Sequence, residues 1–336
     1  MKDRIFHFFG NIFEQSPVPT WIKVFIAYRL DFFLFYLNFF RRGVVRISAE
    51  SRISEDFMKY FYKHDIDINN EKTDVLTHGL DRNSKELIQR IIERQRTMFT
   101  HNIYDISLLT QEELLDQRIN IYPIKQKYKG LSNYYGIENF YFHCGLRFVD
   151  RNVLKRYEKY DLLDAGASNG DTAAIFSREY GFKTIHAFEP ENHNYSLLVK
   201  NISKFRLHNV VPVHMGLGDK TQKASITNEE GQSHISTEGK QSVRMTTVDE
   251  YAAKSKIAVG LIKMDIEGYE YYALQGSVDT IKKYHPILLL SIYHTGRDFF
   301  EIKPFIEKLG RYKFMVKKLN PYHYFFDTML ICLPTK

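Results

Sequence analysis

Short apolar runs alternate with amphipathic segments along the second half of the chain. Residues 195–205 have apolar side chains at helical spacing, with Leu198, Ile202 and Phe205 on one face. The runs that are short enough to be buried strands are Leu162–Leu163, Thr184–Phe188, Val210–His214, Val243–Val248, Val259–Met264 and Ile287–Tyr293. Strands that alternate with helices predict an α/β fold, in which helices cover both faces of a parallel sheet.

The end of the chain breaks this alternation. Two strands are predicted close together, at Tyr312–Lys317 and Phe325–Leu333, and we expect them to pair antiparallel. Residues 269–284 are predicted to form one helix, and residues 300–309 another. The polar segment Lys220–Ser242 contains two glycines and is predicted to be a hairpin or loop excursion.

The N-terminal region, residues 1–140, is predicted to be mainly helical and aromatic-rich. Asn83–Arg96 has a capping residue and an apolar stripe, and Thr110–Gln117 is a further predicted helix. The longest charge-free run near the start, Phe32–Phe40, is too short to span a membrane. We expect this region to pack on the rest of the protein or to join a second subunit. Contact of residues 20–46 with a membrane surface, through nearby arginines, is the alternative.

Composition narrows the class without deciding the function. The net charge of +7 over 336 residues is spread along the chain, which is typical of a solvated surface. Cys144 and Cys332 offer neither a metal-ligand spacing nor a disulfide framework. We therefore expect a cytoplasmic protein, with peripheral contact at the inner face of the membrane as an alternative.

A glycine-rich turn after the first predicted strand carries the strongest chemical signal. Asp164 ends the strand, Gly166 and Gly170 frame the turn, and Glu189 ends the next strand 19 residues after Gly170. An acid at this spacing can accept hydrogen bonds from ribose hydroxyls, and turn N–H groups favour a ligand carboxylate. The turn has fewer glycines than a dinucleotide-binding turn, and the preceding acid suits a cationic ligand. S-adenosylmethionine, which has a ribose, a carboxylate and cationic groups, is the predicted cofactor.

Other polar residues also fall at the carboxyl ends of predicted strands, where ligands bind in such sheets. Asp219 follows one strand and could accept a hydrogen bond from adenine, although a plain turn aspartate is an equal alternative. Asp265 and His294 follow two further strands. The candidate cofactor-binding residues are Asp164, Gly166, Ala167, Ser168, Asn169, Gly170, Glu189, Pro190, Gly218, Asp219 and Asp265.

The chain from Phe142 to Leu333 resembles the FkbM-type S-adenosylmethionine-dependent methyltransferases. The motifs that carry the resemblance are Asp164–Asp171, Ala187–Pro190, Gly216–Asp219, Ser291–His294 and, most specifically, the Lys-x-Asp-x-Glu-Gly-x-Glu block within Ile262–Glu270. The resemblance implies a Rossmann-like class I methyltransferase domain at residues 141–336, with seven strands and an antiparallel strand 7. It also implies O-methylation of a sugar hydroxyl, in surface glycan or natural-product biosynthesis.

A sugar hydroxyl is a poor nucleophile, so a catalytic base is expected. His294 is the first candidate and Asp265 the second, since Asp265 could also orient the histidine or bind substrate hydroxyls. Glu267 is a further catalytic candidate, although it could instead cap the next helix, and the role of Glu270 is open. No metal is assigned; a divalent ion held by Asp265, Glu267 and His294 is the alternative.

Three other functions compete with this interpretation. A nucleic-acid amino-methyltransferase would carry an Asn/Asp-Pro-Pro-aromatic tetrapeptide where this chain has Asp265–Gly268, so no nucleic-acid partner is expected. The turn disfavours an NAD-dependent oxidoreductase. A catalytically silent scaffold module remains an alternative. The predicted partners are a sugar or glycan acceptor and a second copy of the chain.

Overall fold

The computed structural model describes residues 56–57, 60, 66–101, 119–132, 135–229, 232–235, 241–320 and 326–335. The expectations for the aromatic N-terminal segment 20–46 and for the helix at 110–117 lie outside these residues. Within the described part of the chain, no helix is both long enough and apolar enough to cross a membrane.

A seven-stranded sheet forms the centre of the fold and confirms the predicted architecture. Its strands in chain order are β1 (Asp161–Ala165), β2 (Ile185–Phe188), β3 (Val210–Val213), β8 (Val259–Met264), β9 (Ile287–Ser291), β10 (Tyr312–Lys318) and β11 (Thr328–Pro334). Their spatial order is β10-β11-β9-β8-β1-β2-β3. The pairs from β9 to β3 are parallel, whereas β11 runs antiparallel to both of its neighbours.

A second, four-stranded sheet follows β3 in the chain. It contains β4 (Gly216–Leu217), β5 (Gln222–Glu229), β6 (Gln232–Ile235) and β7 (Gln241–Thr246), in the order β4-β7-β5-β6. β5 and β6 pair antiparallel, as expected for a hairpin in this polar segment. β7 includes most of the strand predicted at residues 243–248, and it pairs in this sheet instead of joining the central one.

Helices connect the strands and extend before them. In chain order they are α1 (Ile66–Thr77), α2 (Arg82–His101), α3 (Tyr122–Lys127), α4 (Ile137–Phe140), α5 (Arg151–Tyr157), α6 (Asp171–Glu179), α7 (Asn192–Phe205), α8 (Val248–Ser255), α9 (Glu270–Gln275), α10 (Val278–Tyr284) and α11 (Gly296–Glu307). A 3₁₀ segment, His143–Phe148, precedes α5. α2 confirms the helix predicted at residues 83–96 and extends it.

The prediction of a single helix over residues 269–284 is wrong, because the segment forms α9 and α10 with a break at Gly276. A Cβ atom at Gly276 would lie 2.2 Å from the Gly218 carbonyl oxygen and 2.9 Å from the Thr247 Cβ. The Gly276 carbonyl accepts the Asp249 N–H at 3.0 Å instead of an N–H of its own helix. Contacts from distant parts of the chain therefore interrupt a sequence that has helical periodicity.

The central strands bury both of their faces, which explains their unbroken apolar sequences. Leu162 on β1 and Leu261 on β8 belong to the apolar core on one face, and Leu163 and Ile262 to the core on the other. α1 and α2 cover the second core with Leu76, Ile88 and Ile91. Part of the N-terminal region thus packs directly on the sheet, and the domain boundary near residue 140 stays a prediction.

Candidate active site

A cavity of about 220 Å³ opens at the carboxyl ends of β1, β2 and β8. It brings together six of the residues selected from the sequence, which are Gly166, Ser168, Glu189, Pro190, Asp265 and Glu267. The remaining wall comes from Asn139, Asp171, Asn194, Met215, Ile226 and Met245, among others, which the sequence analysis had not assigned. The strand ends at this edge of the sheet therefore place these residues around one cavity.

Close packing determines the glycines of the turn after β1. Gly166 has φ +75°, and a Cβ atom there would lie 1.9 Å from the Asp265 carbonyl oxygen. Gly170 has φ +87°, and its Cβ would lie 2.7 Å from a methyl carbon of Leu198. Any other residue at these positions would have to adopt a disfavoured backbone and displace its neighbour.

The N–H groups of this turn bind the protein itself. Gly166 and Ala167 both donate to the Phe188 carbonyl, at 3.1 and 2.9 Å, and Gly170 donates to the Ala167 carbonyl at 2.7 Å. Ser168 donates to Oε2 of Glu189 at 2.9 Å. The expectation that free turn N–H groups hold a ligand carboxylate is therefore not supported for these four residues. Their hydrogen bonds instead fix the shape of the turn.

Glu189 is the carboxylate that both shapes the turn and lines the cavity. Its Oε1 accepts the Glu191 N–H at 2.9 Å, while Oε2 accepts the Ser168 N–H. Burial raises the pKa of Glu189 to about 7 against the effect of these two bonds. Because each carboxylate oxygen has two lone pairs, both retain acceptor capacity toward a diol such as ribose.

Asp164 lies behind the cavity wall rather than in it. It is fully buried and accepts from the Thr172 hydroxyl at 2.6 Å, and its Oδ1 lies 3.1 Å from Nζ of Lys263. That ammonium also donates to the Ala165 and Gly166 carbonyls, at 3.2 and 2.9 Å. Burial opposes the charge of Lys263, but Asp164 and then Asp265 hold its pKa above the ordinary value. Asp164 therefore anchors the turn through Lys263.

Lys263 belongs to the Lys-x-Asp-x-Glu-Gly-x-Glu motif, but no role was predicted for it. The available signal was a single lysine inside an otherwise apolar buried strand, which requires a counter-charge. Other candidates also lie outside the cavity wall: Ala167 is buried, and the Asn169 side chain accepts the Asp171 N–H at 3.1 Å. Asp219 is exposed, and Met215, Gly216 and Leu217 form the wall at that strand end.

The turn after β8 forms the opposite end of the cavity. Asp265 and Glu267 line it, with about a third of each side chain exposed. Glu267 and Gly268 both have left-handed backbones, with φ +56° and +93°. Glu270 holds this turn, since its Oε1 accepts the Ile266 N–H at 2.7 Å and its Oε2 the Gly268 N–H at 2.9 Å. These N–H groups thus bond to Glu270, and Glu267 faces the cavity.

His294 lies behind these acids and does not line the cavity. Its Nδ1 is 2.9 Å from Oε1 of Glu270, and its Nε2 is 3.5 Å from both Oδ1 of Asp265 and Oε2 of Glu267. Burial opposes the charge of the imidazole, but Glu270, then Glu267 and Asp265, raise the pKa of His294 well above its ordinary value. Burial raises the pKa of Glu267 to about 7. His294 therefore lies among three carboxyl groups that favour its protonated form.

Asp265, Glu270 and His294 each place one potential ligand atom within 4.8 Å of the others. Oε1 of Glu270 accepts the Ile266 N–H and also lies 2.9 Å from Nδ1 of His294, and Oε2 accepts the Gly268 N–H, so this carboxylate has less capacity left for an ion than Glu189 has for a ligand. The geometry thus gives Glu270 the partners of an orienting residue. The alternative metal set from the sequence, in which Glu267 replaces Glu270, stays a prediction.

Residues 164–314 match the family model of the methyltransferase FkbM domain. The matched residues include the turn after β1 and the turn after β8, which form the two ends of the cavity. A methyltransferase domain agrees with the S-adenosylmethionine predicted from the glycine-rich turn.

Solved structures are similar to this chain at low sequence identity. One is a methyltransferase FkbM from Methylobacillus flagellatus KT, with 19% identity, a TM-score of 0.43, and coverage of 72% of this chain and 70% of that one. An rRNA methylase from Streptococcus thermophilus has 11% identity, a TM-score of 0.36, and coverage of 55% and 93%. SMU.1697c, a putative methyltransferase from Streptococcus mutans in complex with SAH, has 10% identity, a TM-score of 0.35, and coverage of 54% and 93%. No curated protein matches the chain significantly.

Proposed function

We propose that this protein is an S-adenosylmethionine-dependent O-methyltransferase that acts on a sugar hydroxyl. The enzyme would serve the biosynthesis of surface glycans or natural products, which contain many such hydroxyls. The proposal rests on one observation: residues suited to bind the cofactor and acids suited to take a proton line the same cavity. Glu189 and the Gly166 turn form one end, and the acids Asp265 and Glu267 form the other.

Several residues of the cavity wall support S-adenosylmethionine as the ligand. Glu189 has acceptor capacity for ribose hydroxyls, and Met215, Leu217 and Met245 offer apolar surface for a flat base. The acids of the wall, Asp171 among them, suit the two cationic groups of S-adenosylmethionine. When bound, S-adenosylmethionine supplies an electrophilic methyl group.

Asp265 is the side chain best placed to take the acceptor proton. Asp265 lines the cavity, whereas His294 lies behind Asp265, with its Nε2 atom 3.5 Å from Oδ1 of that carboxylate. As the acceptor oxygen is methylated, its O–H bond breaks and the proton passes to the Asp265 carboxylate. Such a base contributes about 10²–10⁴-fold, and holding the reactants in line supplies about 7–11 kcal/mol. Direct base catalysis by His294 stays a prediction.

The charge of the wall supports an acceptor other than nucleic acid. Four carboxyl groups, on Asp171, Glu189, Asp265 and Glu267, line the cavity, and the Lys263 ammonium beside them is engaged by Asp164 and two carbonyls. A phosphate backbone binds to clustered cations, which this part of the described wall does not provide. A neutral sugar hydroxyl meets no such electrostatic barrier.

Two measurements test the proposal in sequence. Calorimetric titration should detect S-adenosylmethionine binding, and S-adenosylhomocysteine release against a glycan panel should then identify the acceptor. Asp265→Asn should abolish most of the release while retaining cofactor binding. Cofactor binding without release on any glycan would favour the silent scaffold, and release with nucleic acid alone would contradict the acceptor class. Mass spectrometry of surface glycans from cells with and without the protein should show a methyl-sized difference.

A further inference from the structure

We propose that Glu270 is the positioning residue of the reaction centre, fixing the turn that presents Asp265 and Glu267 and orienting His294 behind them. This inference rests on the proposed function, because it assigns a role within the same site. Glu270 is completely buried and does not reach the cavity, so it acts through other residues.

The first argument is the backbone of the turn. Glu270 accepts N–H bonds from Ile266 at 2.7 Å and Gly268 at 2.9 Å, on either side of Glu267. Glu267 itself has φ +56°, a conformation that side-chain-bearing residues adopt only when the surroundings impose it. A two-oxygen acceptor that bridges both neighbours imposes this conformation. The bridge thereby directs the Glu267 side chain into the cavity.

The second argument is the orientation of the imidazole. Nδ1 of His294 lies 2.9 Å from Oε1 of Glu270, which is the shortest distance between this ring and a carboxylate oxygen. The other nitrogen, Nε2, then faces both Asp265 and Glu267 at 3.5 Å. A carboxylate on one ring nitrogen fixes the ring and determines what the other nitrogen can do.

The charged groups around His294 come from three elements. Glu270 lies on α9 and Asp265 and Glu267 on the preceding turn. Asp298, on α11, is also buried, and its Oδ1 accepts the Tyr271 N–H at 3.3 Å. The ring of Tyr293 lies beside the imidazole, with centroids 4.1 Å apart. Glu270 makes the shortest of the histidine's ion pairs, so its charge has the largest effect on the protonation of His294.

The test replaces Glu270 by Gln and follows the His294 Cε1–H resonance by NMR against pH, assigned by its loss in His294→Asn. Gln has a similar shape but no charge and only one acceptor oxygen, so it also loses one of the two N–H bonds. The proton affinity of His294 should fall by about tenfold or more, one pH unit. S-adenosylmethionine affinity should change by less than about threefold, because Glu189 and the Gly166 turn are untouched. Once an acceptor is known, turnover can be measured against pH. The midpoint of its pH dependence should move to lower pH together with the midpoint of the His294 titration.

Asp249→Asn is the matched control. Asp249 also bridges two backbone N–H groups, of Thr280 at 2.7 Å and Asp279 at 3.1 Å, and it lies outside the cavity wall. The Asp249→Asn substitution should lower stability without changing the midpoint of the His294 NMR titration against pH. If Glu270→Gln behaves in the same way, with a lower stability and an unchanged midpoint, Glu270 is merely structural and the inference is overturned.

Glu270→Asp covers the case in which the Gln variant does not fold. It retains the charge but is too short to bridge both N–H groups, so the midpoint should stay elevated while turnover falls. An elevated midpoint with unaltered turnover would contradict a positioning role. Because the NMR titration needs neither cofactor nor acceptor, a protein that fails to bind S-adenosylmethionine would sink the proposed function without deciding the role of Glu270.

Discussion

The two ends of the cavity use the same device in different ways. At the Gly166 turn, Glu189 accepts an N–H bond from the turn and also lines the cavity. At the Asp265 turn, Glu270 accepts two N–H bonds but is withdrawn from the cavity and paired with His294. Glu189 thus both holds the backbone and faces the cavity. At the other end Glu270 holds the backbone, and Asp265 and Glu267 face the cavity.

We infer from this difference that the Glu189 end binds the cofactor and the Asp265 end takes part in proton transfer. A residue that only binds a ligand tolerates a pKa near neutrality, because neutral and ionised carboxyl groups both make hydrogen bonds. A group that takes a proton must keep a controlled charge, and buried neighbours provide that control. The two ends meet at Ala165, whose carbonyl accepts from Lys263 and from the Asp265 N–H.

Breaking this junction should have the largest effect. Lys263→Met leaves Asp164 buried without its counter-charge, and we expect a loss of about 3–5 kcal/mol in the free energy of unfolding. Urea denaturation would measure it. The double variant with Asp164→Asn should recover part of the loss, since neither buried charge remains. A Lys263→Met protein as stable as the wild type would show that the ion pair does not hold the junction.

A methyl group at Gly166 should push the two ends apart. Gly166→Ala places a Cβ atom 1.9 Å from the Asp265 carbonyl at a left-handed φ. We expect about 2 kcal/mol or more of lost stability and weaker cofactor binding. Gly79→Ala is the matched control, because Gly79 has a similar φ of +71° but no atom within 4 Å. That change should cost about 1 kcal/mol, and equal losses would argue against the clash.

Replacing the acids that line the cavity should affect turnover at one end and cofactor affinity at the other. Asp265→Asn should lower turnover by about 10²–10⁴-fold with little change in cofactor affinity. Glu189→Gln should instead weaken cofactor binding by about tenfold, roughly one lost hydrogen bond, and leave turnover at saturation nearly intact. Calorimetry and steady-state kinetics on both variants would decide. The opposite assignment of the two losses would invert the roles proposed here.

The pH dependence of stability should distinguish Glu189 from exposed acids. Its pKa in the folded protein is about 7, against about 4.5 for the unfolded chain. Between these values the folded state retains a proton that the unfolded state has lost, so this contribution to stability falls as pH rises from about 4.5 to 7. Glu189→Gln should therefore flatten the decline in urea titrations across this range. Glu93→Gln, at an exposed site on α2, should leave it unchanged.

The smallest effect is expected from chelation. Because two backbone N–H groups and Nδ1 of His294 already lie against the oxygens of Glu270, turnover should be unchanged by EDTA after dialysis. Activity that is lost with EDTA and restored by Mg²⁺ or Mn²⁺ would instead support the alternative ligand set of Asp265, Glu267 and His294.

The sequence predicted the parts of this site that depend on local pattern. The buried strands and the Gly166 turn follow from apolar runs and glycine spacing, so their placement at one edge is a consequence of the alternation. What escaped prediction depends on contacts between distant residues. The break at Gly276 results from packing on Gly218, and the anchoring role of Asp164 depends on Lys263, which is 99 positions later in the chain.

His294 illustrates the same limit at the reaction centre. Its position after β9 correctly predicted proximity to Asp265, since neighbouring parallel strands end at the same edge. Which of the two faces the cavity depends on the left-handed turn at Glu267, and no local pattern predicted that turn. Asp219 likewise follows its strand as expected, but its side chain is exposed.

The central sheet also has a consequence for biosynthesis. β11 is synthesised after every other strand of the sheet, yet it lies between β9 and β10. Until it emerges from the ribosome, β9 has an unpaired edge and β10 has no neighbour in the sheet. Nascent chains should therefore remain vulnerable to aggregation and dependent on chaperones until translation has passed residue 334.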